Sequence, residues 1–252
     1  MVTWKIISHA MPGSSHLEQG KGCEDVIKVV TDENIAVISL ADGAGSFSKA
    51  VEGAELATEK SSKWLIKNFD WAYIAKKSDI TNRLIYNTIK KGLKRKSKKE
   101  KSKPKEYSST LLFVAIKDNR YIAGHIGDGV IGVTTTEGEN VVLSEPDRGE
   151  FANNTYFTTS SKISKHFRLH RGTIVNIGSF FLMSDGSADC LFNQTDNTFA
   201  PAISKFSSLL EGASDEGVKQ VNNALNNVME QHFRSRTNDD CSFVMLQWTN
   251  LK

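Results

Sequence analysis

The chain has 252 residues, 39% of them hydrophobic and 24% charged, the balance of a soluble globular protein long enough for one large domain or two small ones. No apolar run approaches the ~18 residues needed to span a bilayer, and the N-terminal Met1-Val-Thr-Trp-Lys-Ile-Ile-Ser-His9 lacks the charged, apolar and small-residue regions of an export signal. The net charge is +3, but residues 90–105 carry ten of the 32 Lys and Arg, which excludes a nucleic-acid binder with basic charge spread over a face and leaves a mildly acidic chain with one basic insert. Cys23, Cys190 and Cys241 are far apart, odd in number and in no Cys-x-x-Cys pair. That usage predicts a reduced, cytoplasmic setting and argues against a structural zinc site.

In chain order, residues 4–9 and 26–30 read as short strands flanking a Gly-, Ser- and His-containing segment, Pro12 to Gly22. A β-branched apolar run, 35–41, predicts a buried strand. Helical spacing follows from about Ser48 to Phe69 and again from about Ile80 to Leu93, the second through Ile80, Leu84, Ile85, Thr88 and Ile89. The lysine block interrupts this pattern. Like charges at that density repel, which predicts a solvated, mobile loop or a frayed helix end. Its functional reading is an electrostatic contact with an acidic partner, RNA or an anionic surface.

From Ser108 to about Leu143 the texture is β. Runs at 110–116, 120–126, 130–134 and 141–143 are separated by Lys-Asp-Asn, Gly-Asp-Gly and Glu-Gly-Glu-Asn turns, a meander of antiparallel strands. Residues 144–170 lack a period and read as an irregular surface excursion. Strands are expected at Thr173–Ile177 and Phe180–Met183, helices at 200–211 and 215–234, and a last strand from Ser242 to Trp248. No internal repeat or linker divides the chain, so residues 1–252 are expected to form one domain of layered sheets and helices.

Carboxylates mark the strand ends. Glu24-Asp25 precedes a strand, Asp42-Gly43 and Asp185-Gly186 each follow one, Asp239-Asp240 precedes the last, and Asp128 sits in the Gly127-Asp128-Gly129 turn. Taken singly, each acid reads equally well as a turn or cap residue. If the strands lie in facing sheets, however, the acids converge at one edge, where they cannot all stay ionised without a cation. An oxygen-only set with no His/Cys cluster points to Mg²⁺ or Mn²⁺ rather than zinc. Two such ions roughly 3.5–4 Å apart can activate a water for attack on phosphorus.

These motifs, in this order, resemble the metal-dependent protein phosphatases of the type 2C family, in a divergent bacterial branch. Gly22-Cys23-Glu24-Asp25 resembles the opening Glu-Asp element and Ala41-Asp42-Gly43-Ala44-Gly45 the Asp-Gly-x-Gly element. Ser108-Ser109-Thr110 resembles the entry to the central strand, Gly127-Asp128-Gly129 the Gly-Asp-Ser element, Ser184-Asp185-Gly186 the Ser-Asp-Gly element, and Asp239-Asp240-Cys241-Ser242 the closing Asp-Asp element. The resemblance implies an α+β fold, a four-layer α-β-β-α sandwich of two antiparallel sheets with helix pairs outside. It also implies hydrolysis of phosphoserine or phosphothreonine in a phosphoprotein substrate, by a monomeric enzyme using two Mg²⁺ or Mn²⁺ ions and in some cases a third.

Carried over residue by residue, it implies that Asp42 bridges both metals, the Gly43 carbonyl binds one, Glu24 sits on the second, and Asp185 and Asp239 on the first. Asp25 and Asp240 then bind through water or orient ligands, and Asp128 belongs with Asp185 to a third site. Two departures stand out. The position of the family's phosphate-gripping Arg is Gly20, which leaves His16 or Lys21 to supply positive charge, and the position of the His proposed as general acid in eukaryotic members is Ala44. His9, His16 and His125 are alternative proton donors, as is a water on the metal. Glu150 to Ser160 resembles a stretch of the divergent branch and falls where the family has its flap. Two rivals stay open: a phosphatase-like regulatory module that binds phosphoprotein without turnover, and a nucleic-acid-associated protein working through the lysine block.

Overall fold

The computed structural model describes residues 2–147, 155–161 and 163–249. The strands are β1 (Thr3–Met11), β2 (Val26–Thr31), β3 (Ile35–Ala41), β4 (Leu111–Lys117), β5 (Arg120–Ile126), β6 (Val130–Thr135), β7 (Asn140–Ser144), β8 (Arg168–Thr173), β9 (Ile177–Met183), β10 (Phe192–Asn193), β11 (Thr198–Phe199) and β12 (Cys241–Thr249). The helices are α1 (Ser14–Glu18), α2 (Ala50–Ile74), α3 (Ser78–Lys99), α4 (Ile163–His166), α5 (Asp185–Leu191), α6 (Ala202–Leu210) and α7 (Asp215–His232). Two five-stranded antiparallel sheets, ordered β1-β12-β9-β6-β7 and β2-β3-β4-β5-β8, face one another, and β10 and β11 form a small hairpin beside them. This is the expected α-β-β-α sandwich.

Why the central strands read as continuous apolar runs is explained by their two buried faces. Along β3, Ile35, Val37 and Ala41 pack with α2 and α3, while Ala36, Ile38 and Leu40 face the opposite sheet. β12 does the same on the other side, with Phe243 and Met245 toward α6 and α7 and Val244 and Leu246 between the sheets. Polar pairs within these layers satisfy one another: the Ser39 and Ser62 hydroxyls meet at 3.0 Å between β3 and α2, and the Ser179 and Ser207 hydroxyls at 3.0 Å between β9 and α6.

Two expectations need correction. Of the two readings of the lysine block, the loop gives way to the helix end over residues 90–99: α3 runs on to Lys99 because Leu93 and Ser97 continue the buried stripe of Ile85 and Ile89. Lysine has good helix propensity, and cations suit a helix C-terminus. The strand expected at 173–177 lies at Arg168–Thr173 instead, and Asn176 turns there with φ +62°. Its charged, half-buried residues hid it, since edge strands are protected by such side chains. Asp185 follows β9 as expected, and it also begins α5, with Ser184 at the N-cap. Of the flap-like stretch, residues 150–154 fall outside the described residues.

Candidate metal centre

The acids come together where the two sheets end side by side. β3 delivers Asp42, and the backbone there is held from both sides: the Asp42 N–H donates to Thr110 Oγ1 at 2.8 Å and the Thr110 N–H donates to the Asp42 carbonyl at 2.9 Å. The next residue is clamped as well, since the Gly43 N–H donates to the Glu24 carbonyl at 3.2 Å and Gly43 bridges to Ser109. From the other sheet, β9 delivers Asp185. A Cβ on Gly186 would stand 2.3 Å from the Asp240 carbonyl oxygen, so only glycine lets α5 start this close to β12. Asp128 arrives on the β5–β6 turn and accepts a hydrogen bond from the Thr155 hydroxyl.

One carboxylate oxygen from each of Asp42, Asp128 and Asp185 lies within 4.8 Å of the other two, and all three residues are half-buried. Burial, followed by the charges of Asp25, Asp185, Asp239 and Asp128, pushes the Asp42 carboxyl well above the usual range. Asp185 is raised for the same first reason and then by Asp128, Asp239 and Asp25. Asp25 is 6% exposed with neither carboxylate oxygen hydrogen-bonded. Burial raises it to about 7, with the charges of Asp240 and Asp239 adding to the rise. Like charges gathered in a poorly solvated place favour protons or a cation. The donor set is all oxygen, and Asp25 together with the buried, unbonded Glu24 Oε2 leaves acceptor capacity unused. A hard divalent ion fits these residues.

The remaining acids divide by environment. Asp239 is exposed at the rim and lies outside the close trio, yet its charge is felt by Asp42, Asp185 and Glu24. Asp240 is 3% exposed and already engaged. Its Oδ1 accepts the Gly13 N–H at 2.8 Å and meets His16 Nδ1 at 2.8 Å, and its Oδ2 accepts the Glu24 N–H. It therefore ties the β1–β2 connection to β12, a positioning task.

The candidate cations and proton donors also separate. With Nδ1 on Asp240, His16 directs its other nitrogen to the acidic side: a Cβ on Gly45 would stand 3.7 Å from His16 Nε2 and 3.5 Å from Glu24 Oε2. Lys21 is exposed beside it, its N–H donating to the His16 carbonyl at 2.8 Å. His9 is elsewhere, 3.4 Å from Glu230. His125 is fully buried and both nitrogens are used: Nε2 donates to the Gly127 carbonyl at 2.9 Å, so Nδ1 accepts from the Ser144 hydroxyl at 2.9 Å. Burial drives its pKa well down, and the neutral ring holds the turn that carries Asp128. Thr155 and the His16–Asp240 link escaped sequence reading because a Thr in a polar excursion, or a His 224 positions from its partner, carries no local signal.

Comparison with known proteins agrees with this fold. Residues 12–230 match the family model described as Protein phosphatase 2C. Serine/threonine-protein phosphatase 3 of Escherichia coli (strain K12) is 22% identical over 98% of this chain and 99% of its own length. Among solved structures, the catalytic domain of the serine threonine protein phosphatase PstP in complex with 2 manganese ions superposes with a TM-score of 0.65 at 15% identity, covering 99% of this chain and 100% of that one. A bacterial serine phosphatase gives 0.66 at 12% identity, covering 97% and 98%.

Proposed function

The chain belongs to the protein phosphatase 2C family and is a phosphoprotein phosphatase; on that premise we propose that it hydrolyses phosphoserine and phosphothreonine with two divalent ions, Mg²⁺ or Mn²⁺, held at this edge. The observation that carries the reading is the convergence of Asp42, Asp128 and Asp185, from three separate parts of the chain, to within 4.8 Å of one another. Asp42, the Gly43 carbonyl, Asp185, Asp239 and Glu24 are the residues assigned to the two ions, and Asp128 with Asp185 to a third. Bound there, the ions supply positive charge for the phosphoryl oxygens and acidify a water. The chain's own residues do the rest. Thr110 fixes the Asp42 backbone, Asp240 orients the His16 ring, and Lys21 beside it offers the positive charge that Gly20 cannot. Among the described residues no helix is long and apolar enough to cross a membrane, which suits a phosphoprotein substrate met in solution.

Hydrolysis of nitrophenyl phosphate tests this directly. Activity is expected only with Mn²⁺ or Mg²⁺, and Asp42→Asn is expected to lower kcat by about a hundredfold or more, the scale of losing one preorganised electrostatic contact at a reacting centre. Metal-independent turnover, or an Asp42→Asn protein of undiminished rate, would remove the two-ion reading.

A further inference from the structure

Nothing in the hydrolytic reading uses the outward side of α3. Lys90, Lys91, Lys94, Arg95, Lys98 and Lys99 are all exposed, and their i, i+1, i+4, i+5, i+8, i+9 spacing sets them on one stripe about 14 Å long. No ion pair involves any of the six among the described residues. Lys96, by contrast, turns inward and is matched, its Nζ 2.8 Å from Glu52 Oε2 and 3.4 Å from Glu100 Oε1. Unmatched like charges at i, i+4 weaken a helix, and the preference of a helix end for cations reaches only its last turn, at Lys98 and Lys99, so helix stability alone does not account for the whole outer stripe. Residues 90–105 hold ten basic side chains and one acid.

The stripe also has a direction. Past α3, exposed Lys101, Lys103 and Lys105 follow, and the chain passes through a 3₁₀ turn at Pro104–Tyr107 into Ser108, Ser109 and Thr110. Those residues wall the acidic centre: the Ala44 N–H donates to the Ser108 carbonyl at 3.0 Å, and the Lys49 N–H to the Glu106 carbonyl at 3.2 Å. Lys105 Nζ sits 5.4 Å over the Phe47 ring, in the loop that leaves Asp42. The basic ridge therefore ends at the mouth of the site. The aromatics along it, Tyr86 5.3 Å beneath Lys90 and Phe47 beneath Lys105, are each covered by a lysine, unlike the open aromatic platforms on which single-stranded nucleic acid stacks.

We propose that this ridge recruits substrate: it holds the Asp- and Glu-rich segment flanking a phosphoserine or phosphothreonine and thereby selects phosphosites lying in acidic polypeptide. The inference rests on the phosphatase reading above. Two phosphopeptides with one phosphosite, one flanked by acidic and the other by neutral residues, test it against wild type and a Lys94→Glu/Arg95→Glu/Lys98→Glu/Lys99→Glu variant. Wild type is expected to favour the acidic peptide about tenfold in kcat/KM at low salt, through KM, in line with electrostatic steering. The preference is expected to vanish in the variant and at about 0.5 M salt, while nitrophenyl phosphate turnover stays the same in both. Equal kcat/KM for the two peptides in wild type, or a preference that survives the four substitutions, overturns the proposal. Retention of single-stranded RNA without any peptide preference overturns it in favour of nucleic acid. Fluorescence anisotropy of the labelled peptides on the Asp42→Asn protein reads the ridge without turnover. Loss of nitrophenyl phosphate hydrolysis with selective acidic-peptide binding intact thus indicts the catalytic reading alone.

Discussion

Two parts of this molecule gather like charges, and they do so in opposite surroundings. At the sheet edge, carboxylates meet in a poorly solvated place, and their protonation gives way: Asp42, Asp185 and Asp25 all hold their protons to higher pH. On α3, cations meet in open water, where screening removes most of the repulsion. Along its inner side the opposite happens to an acid. The Lys49 contact, then the Tyr107 hydroxyl, hold Glu100 down to about 2. Burial, more than the number of charges, decides whether a like-charged cluster demands a counter-ion. The acidic edge demands one; the basic ridge merely attracts one.

The largest expected effect breaks that comparison at the acidic edge by supplying the counter-ion. Without metal, the folded protein binds protons that the unfolded chain has released, so its stability falls as pH rises between the two pKa values. For Asp25 the window runs from the ordinary Asp value to about 7, a loss of roughly 4 kcal/mol across it. Denaturant melts of metal-free protein from pH 4 to pH 8 are expected to show this decline. Saturating Mn²⁺, binding only the folded state, should restore about 3 kcal/mol at 100 times its Kd and flatten or reverse the slope. A metal-free protein that gains stability toward pH 8 would show that the acids are not crowded as described.

Next in size is Gly186→Ala. The added Cβ would stand 2.3 Å from the Asp240 carbonyl oxygen and 3.3 Å from Asp239 Cβ, so α5 and β12 must part. Overpacking of this kind costs about 3 kcal/mol, and because Asp185 and Asp239 flank the clash, metal affinity is expected to fall with stability. A variant that melts like wild type but binds Mn²⁺ normally would mean that α5 and β12 yield freely. The same substitution at exposed Gly20, which has open space around it but φ +66°, is a useful contrast, since it adds backbone strain without a steric clash.

How much of this was legible in the sequence follows the same physical divide. Asp42, Asp128 and Asp185 could be found because a carboxylate beside a glycine at the end of an apolar run is a local pattern, and tertiary folding then merely gathers the ends. The layers were legible because β3 and β12 bury both faces. β8 was not, as an edge strand of Arg, His and Gly has no apolar signal. The helical state of the lysine block was hidden too, because Leu93 and Ser97 are a thin stripe in a run that otherwise reads as repulsion. Nothing in the sequence marks Asp240 as different from its neighbour Asp239; its bonds to Gly13, His16 and Glu24 appear only in the folded structure.

The smallest effect lies at the seam between the two charge clusters. Tyr107 is fully buried, and its hydroxyl meets Ser102 Oγ at 2.8 Å and donates to Glu100 Oε2 at 2.8 Å. Through Glu100 it reaches Lys49, at the N-cap of α2, so this one phenol fixes the end of the ridge to the wall of the acidic site. Tyr107→Phe keeps the ring in place and removes both bonds. Glu100 can turn to water, so the cost is a net hydrogen-bond contribution of about 1 kcal/mol, or a Tm lowered by about 2–4 °C for a chain of this size. Nitrophenyl phosphate turnover should not change, because the acids keep their own supports in Thr110 and Gly186. If the substitution instead lowers activity on that small ester as far as it lowers stability, the two clusters are mechanically one unit and the contrast between them is a difference of solvent alone.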